Sequence, residues 1–206
     1  MDADAGIVRL ESEQVEDAGK MLGRAFFDNP MSLFLLPVAA ARARPLTWMF
    51  DRTARYGLLF GEVYTTAAAV DGAAIWLSPD SPPMTRETLT AAGMMEMPQA
   101  MGSEPFQRLM LMKRHFDELR LRDAPERHWY LWTLGVDPPR QGQGVGSALL
   151  RPVLSLAHRE GLPCYLEADK AKNVPFYQRH GFEVVEEDDL PGGGMHYWTM
   201  KRPAKR

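Results

Sequence analysis

The chain has 206 residues, 45% hydrophobic and 25% charged, the balance of a globular domain able to bury a core. Its formal net charge of −3 gives no bulk attraction for nucleic acid or an anionic membrane. A single cysteine, Cys164, excludes an intramolecular disulfide and a thiolate metal cluster. The longest apolar runs, such as Phe34 to Ala41, are too short to span a bilayer, and Met1 to Gly6 is small and acidic, unlike a signal peptide. The expectation is one cytoplasmic domain over residues 1–206.

In chain order, Ile7 to Leu10 opens as a short strand. Ser12 stands where an N-cap belongs, and Val15, Ala18, Leu22, Ala25 and Phe26 then recur at helical spacing until Asp28-Asn29-Pro30 stops them. After a second break at Pro37, a helix is predicted from about Ala39 to Leu59, beginning loosely around Pro45. Glu62 to Ala67 and Gly72 to Leu77 read as strands joined at Asp71-Gly72, a hairpin turn. The proline-rich Ser78 to Pro83 ends them. Helices are predicted over about Arg86 to Ala100 and Pro105 to Leu121, with seven methionines between Met84 and Met112, either core filler or an adaptable wall facing a ligand. Trp129 to Val136 is a strand, and Gly144 to Glu160 a helix stopped by Gly161. Pro152 should bend that helix. Pro163 to Ala168 (strand), Asn173 to His180 (helix), Phe182 to Glu187 (strand) and His196 to Lys201 (strand) complete the chain.

The informative loop runs Val136-Asp137-Pro138-Pro139-Arg140-Gln141-Gly142-Gln143-Gly144-Val145-Gly146-Ser147. Three alternate glycines permit a tight fold with no Cβ in the way of a ligand, and a helix starts there with unpaired N–H groups and a positive dipole end. Such a place suits a pyrophosphate. A P-loop fails for want of a Lys after Gly146. A dinucleotide fingerprint is nearly met by Gly142, Gly144 and Ser147, with Glu167 beyond. However, Pro138-Pro139 intervenes, and too little chain follows for a doubly wound sheet. Coenzyme A makes the same demand.

Gln141, Gly144 and Gly146 fill the Gln/Arg-x-x-Gly-x-Gly/Ala signature of the GNAT acetyltransferases, and Asn173 to Phe182 resembles the family's Asn-x-x-x-x-Tyr/Phe…Gly-Phe segment. A fainter likeness around Leu166-Glu167-Ala168 is to the puromycin N-acetyltransferase branch. The resemblance implies an α+β fold, a mainly antiparallel, splayed, seven-stranded sheet flanked by helices. Residues 79–127 would be a helical insertion between the third and fourth strands, serving as a lid, a core layer or a homodimer contact.

It also implies roles. The cofactor would be acetyl-CoA, held by the backbone of Gln141, Gly142, Gln143, Gly144, Val145 and Gly146 and by Asn173, with Leu134 and Val136 pairing with pantetheine amides. The Val136 N–H would meet the oxyanion. Tyr177, one helical turn after Asn173, is the candidate general acid and also lies against the cofactor; its alternative is packing only. Glu167 is the candidate base, its alternatives being an ammonium anchor or a structural ion pair; His128 and His196 are further candidates. Between Pro138 and Gly181 six Lys/Arg face three acids, which suits a polyanion. No His and carboxylate spacing fits a metal, so none is expected. The acceptor is expected to be a small-molecule amine with an apolar or aromatic body; nucleic acid and membrane are not expected partners. A non-catalytic CoA-binding module is the competing reading.

Overall fold

This computed structural model describes residues 6–204; Met1 to Ala5 of the acidic start lie outside them. The strands are β1 (Ile7–Arg9), β2 (Gly61–Thr66), β3 (Gly72–Leu77), β4 (Trp129–Val136), β5 (Cys164–Ala168), β6 (Glu183–Asp189) and β7 (His196–Arg202). They form one sheet in the order β1-β2-β3-β4-β5-β7-β6, antiparallel throughout except between β4 and β5. The helices are α1 (Val15–Ala25), α2 (Pro30–Leu35), α3 (Ala43–Phe60), α4 (Arg86–Ala91), α5 (Met97–Met101), α6 (Ser103–Asp123), α7 (Val145–Glu160) and α8 (Val174–Arg179). The mixed, mainly antiparallel open sheet expected from the sequence is present.

The sheet has a core on each face. Leu22 of α1, Phe50 of α3 and Ile75 of β3 belong to one apolar cluster; Leu149 and Val153 of α7, Trp129 of β4 and Leu166 of β5 belong to the other. A third cluster joins Met112 and Leu119 of α6 to Tyr197 of β7, and shares Met31, Phe34 and Leu109 with the first. The helix α6 therefore extends the α1–α3 layer across β7. The run 79–127 does lie between β3 and β4. Four of its seven methionines, Met94, Met97, Met101 and Met112, are buried, while Met95 and Met110 are exposed, so these four serve as core filler and most of the stretch stays part-buried or exposed.

Local details depart from the sequence reading. Ser12 is not a cap: a 3-10 turn, Ser12–Gln14, leads into α1, and the Gln14 side chain accepts the Glu11 N–H at 3.0 Å. Asn29 does not merely end α1. Its side chain accepts the Met31 N–H at 3.0 Å and caps α2, a short helix that Pro30 starts and that the sequence reading missed. Asp71-Gly72 is not a two-residue turn: residues 67–71 form the loop, and Gly72 already pairs with Val136. The stretch Arg86 to Ala100 is not one helix, because Gly93 takes a left-handed φ of 70° between α4 and the next turn. In agreement with the sequence reading, the helix α7 is continuous through Pro152 and stops on Gly161 at φ 64°.

One feature of the sheet positions everything that follows. Ile75 pairs with Thr133 but Trp76 with Leu131, so Trp132 is an extra residue, a β-bulge. A bulge bends its strand. On the other side of β4, the parallel pairing with β5 covers only Trp129 with Cys164 and Tyr130 with Tyr165. The two strands part at the bulge.

Past the bulge, α1 closes on β4 without room for a side chain. A Cβ at Gly135 would stand 2.5 Å from Leu22 Cδ2 and 2.9 Å from Phe26 Cε2. Gly135→Ala should therefore overpack this contact and cost about 1–3 kcal/mol. Urea denaturation monitored by circular dichroism checks this: a lowered midpoint at unchanged slope is expected.

Candidate active site

The parting of β4 and β5 exposes main-chain groups of known direction. Gly72 stands opposite Val136, while the Asp137 N–H donates to the Asp71 carbonyl at 2.8 Å. In an antiparallel ladder this makes Gly72–Val136 a non-hydrogen-bonded pair. The N–H and C=O of Val136 then turn away from β3, toward the gap, and those of Leu134, two residues earlier, do the same. The Gln141 side chain donates to the Val136 carbonyl at 3.0 Å, which leaves the Val136 N–H as the free group of that peptide pair. At the same corner Arg24 of α1 grips Asp137 with two bonds of 2.9 and 2.8 Å.

The glycine loop follows. Gly142 and Gly144 have φ of 76° and 83°, and a Cβ at either would meet nothing within 4 Å. The loop therefore surrounds open space in a conformation that disfavours other residues. Gly144 caps α7 without a side-chain hydrogen bond, so the first N–H groups of α7 have no capping acceptor. The Gln143 side chain braces the loop by donating to the Pro139 carbonyl at 2.9 Å. An anion fits these donors. Gly146 lies in the first helical turn, and its Cβ position is 3.4 Å from Phe176 Cζ and 3.7 Å from Val136 Cγ2. Loop, strand end and α8 thus meet at one point.

Tyr177 is buried in the cluster that includes Val145 and Ala168, with Leu134, Val136 and Phe176 packed against it. Burial, then the charge of Asp169, raises its phenol well above the ordinary value, so the hydroxyl stays protonated at neutral pH. Among the described residues no group hydrogen-bonds that hydroxyl. Asn173 occupies the N-cap position of α8, yet its side chain makes no cap bond.

Glu167 stands two residues beyond the last row in which β5 pairs with β4, while still pairing with Thr199 of β7. Tyr130 Oη donates to Glu167 Oε2 at 2.8 Å, while Oε1 is out of solvent with no partner among the described residues. Burial pushes this carboxyl up to about 7, against the Tyr130 hydrogen bond and the charge of Arg120, which both favour its ionised form. Asp169, two residues on, accepts from Asn29 Nδ2 at 3.0 Å and from the Met31 N–H at 3.1 Å, tying the start of α2 to the end of β5. The other base candidates stand elsewhere. His128 precedes β4 at its closed end and bonds the Glu126 carbonyl at 2.7 Å; His196 is exposed between Glu187 and Asp189. The sequence reading missed Tyr130, Arg120 and Asp169. Their roles depend on the β4–β5 register and on how α6 packs, and no local pattern encodes either.

Among the described residues no group of three or more His, Cys, Asp or Glu is placed to hold a metal ion, and no helix is long and apolar enough to cross a membrane. A cavity of about 790 Å³ lies between the start of α1 and α3, lined by Glu16, Arg44, Trp48 and Asp51 among others, and contains none of the groups above.

Comparison with known proteins agrees with these motifs. The Acetyltransferase (GNAT) family model matches residues 110–182. An uncharacterized N-acetyltransferase of Schizosaccharomyces pombe is 26% identical over 84% of this chain and 72% of its own length. The mycothiol acetyltransferase of Streptomyces coelicolor is 40% identical over 70 residues, 32% of this chain and 22% of that protein. Among solved structures, histone acetyltransferase HPA2 and related acetyltransferase from Corynebacterium glutamicum superposes with a TM-score of 0.70 at 20% identity, covering 97% of this chain and 96% of that one. Arylalkylamine N-acetyltransferase 2 from Aedes aegypti gives 0.66 at 15%, covering 97% and 98%.

The contacts at Gly146 generate a test. Gly146→Val keeps an ordinary helical backbone yet projects methyl groups toward Phe176 and Val136. Titration calorimetry with coenzyme A on the folded variant should show affinity lowered at least about tenfold, with a thermal midpoint lowered by the overpacking against Phe176 and Val136. Unchanged affinity would remove this loop from the ligand site.

Proposed function

We propose that this chain, which carries a GNAT acetyltransferase domain, moves an acetyl group from acetyl-CoA directly to the primary amine of a small molecule. The observation that carries this reading is the convergence at Gly146, where the anion cradle, the freed backbone of β4 and the helix bearing Tyr177 touch.

Acetyl-CoA, when bound, supplies a thioester carbonyl and a thiolate leaving group. Gln141, Gly142, Gln143, Gly144, Val145 and Gly146 offer backbone donors and open space to its pyrophosphate, and Asn173, whose side chain is uncommitted, lies beside them. Leu134 and Val136 offer main-chain groups to the pantetheine amides. The Val136 N–H is suited to the oxyanion, because a fixed donor in a water-poor gap stabilises charge as it develops. The amine nitrogen attacks the acetyl carbon, the new C–N bond forms, and the C–S bond breaks. The proton lost by the amine passes to Glu167, and the sulfur takes its proton from Tyr177. With Glu167 near 7, the base is ionised above that pH and progressively lost below it. Activity should therefore fall on the acid side of neutrality.

The choice of a small acceptor rests on what covers the sheet. The helices α2 and α6 pack Met31, Phe34, Leu109 and Phe116 against Met112, Leu119 and Tyr197, an apolar layer beside β7 of the composition that suits a small ligand. The aromatic side chains Phe26 and Phe27 stand at the end of α1, against the first core. The fold alone admits both acceptor classes, since its neighbours include proteins named for arylalkylamines and for histones. An acceptor with an apolar or aromatic body fits these walls.

A thiol-release assay over a panel of arylalkyl amines, amino acids and lysine peptides tests the assignment. Activity on small amines is expected; activity confined to peptides would overturn the acceptor class, and coenzyme A binding without release on any amine would overturn the enzyme. Tyr177→Phe should lower kcat by about 10²- to 10⁴-fold, the usual worth of a placed general acid, with acetyl-CoA affinity retained. Wild-type turnover in that variant would leave Tyr177 as packing alone.

A further inference from the structure

Glu167 is not left to find its own orientation. Its Oε2 is fixed by Tyr130 at 2.8 Å, and the Tyr130 ring carries the Arg120 guanidinium on its face, 4.4 Å from the centroid. Arg120 is in turn held by Asp117 at 3.1 Å, and Asp117 also takes Lys113 one turn earlier on α6. The chain of contacts thus runs from the insertion helix through a strand to the carboxylate. It ends at one buried oxygen, Oε1, that has no donor among the described residues. A buried carboxylate oxygen without a donor is costly to keep, and an N–H delivered to it would relieve that cost.

We propose that Tyr130 and Arg120 are positioning residues, through which the α6 insertion holds Oε2 of Glu167 and leaves Oε1 alone to receive the proton of the acceptor amine. The inference rests on the reading of Glu167 as the base.

The pH dependence follows with its signs. The groups facing Glu167 are Tyr130 of β4, Arg120 and Asp117 of α6, and Tyr165 of its own strand. The Tyr130 hydrogen bond and the Arg120 charge favour the carboxylate; burial and Asp117 favour the acid. Removing either supporter should move the acid limb of kcat/KM to higher pH, whereas removing Asp117 should move it to lower pH.

Full pH profiles of kcat/KM for Tyr130→Phe, Arg120→Gln, Asp117→Asn and Glu167→Gln, using the best amine from the panel, decide the matter. Tyr130→Phe is expected to raise the acid limb by about one pH unit, the usual effect of one hydrogen bond to a charged group. Arg120→Gln should move it in the same direction and Asp117→Asn in the opposite one. A purely structural role would lower kcat at every pH and leave the limb in place, and that result overturns the proposal. Should Tyr130→Phe fold poorly, the opposed shifts of the two partly exposed α6 variants carry the test. If Glu167→Gln abolishes the limb while none of the other three moves it, the base stands and its support falls. If Glu167→Gln leaves the limb unchanged, the base reading itself fails.

Discussion

The structure depends on two parallel strands ceasing to pair. A β-strand in the middle of a sheet normally has both edges satisfied, and each main-chain group left unpaired away from water is costly. Here the extra residue Trp132 bends β4 after two paired rows, so Leu134 and Val136 turn backbone donors and acceptors toward a gap rather than toward β5. Trp132 is itself kept in place by an edge-on contact with Tyr56 of α3, with ring centroids 5.5 Å apart. The Gln141 side chain quiets one of the freed carbonyls. The remaining groups are available to a ligand with amides of its own, and the anion cradle begins only a few residues further along the chain.

Low dielectric surroundings then set the chemistry of the side chains near that gap. The same burial that holds the Tyr177 phenol protonated lifts the Glu167 carboxyl to about 7. One group is kept protonated and the other is brought to where it changes state near neutrality, so on the proposed reading acid and base would arise from one cause acting on two functional groups. Asp169 is raised by burial too, but its two bonds to the start of α2 commit it to holding the chain together.

Much of this was legible in the sequence where a local pattern has a local cause. The apolar stripe of α7, the stop at Gly161, the strand from Trp129 to Val136 and the glycine loop were all read from the residues themselves. So was the spacing of Asn173 and Tyr177 on one helical face. The errors fall where two signals compete within a few residues. Asp71-Gly72 looks like a tight turn, yet strand pairing takes Gly72 and leaves a five-residue loop. Asp28-Asn29-Pro30 looks like a stop, yet the same residues cap and start α2. What no local pattern could give is the partnership of Glu167 with Tyr130, which depends on the register of two strands about thirty-five residues apart in the chain, and the reach of Arg120 from a helix that packs against Phe34 and Tyr197, each more than seventy residues away along the chain.

The left-handed backbone at Gly142 and Gly144 bears on how sequence drift in this protein's lineage should be read. Both positions demand glycine for the shape of the loop, whether or not anything binds there. A descendant that lost its activity but kept its fold would keep these two glycines, and their persistence would say nothing about chemistry. Gly146 has no such obligation, since its backbone is that of an ordinary helix and its neighbours tolerate a methyl at normal contact distance. Tyr177 and Glu167 are equally free of backbone demands. On the proposed reading, decay of function would be recorded first at these three positions, while Gly142 and Gly144 stayed in place.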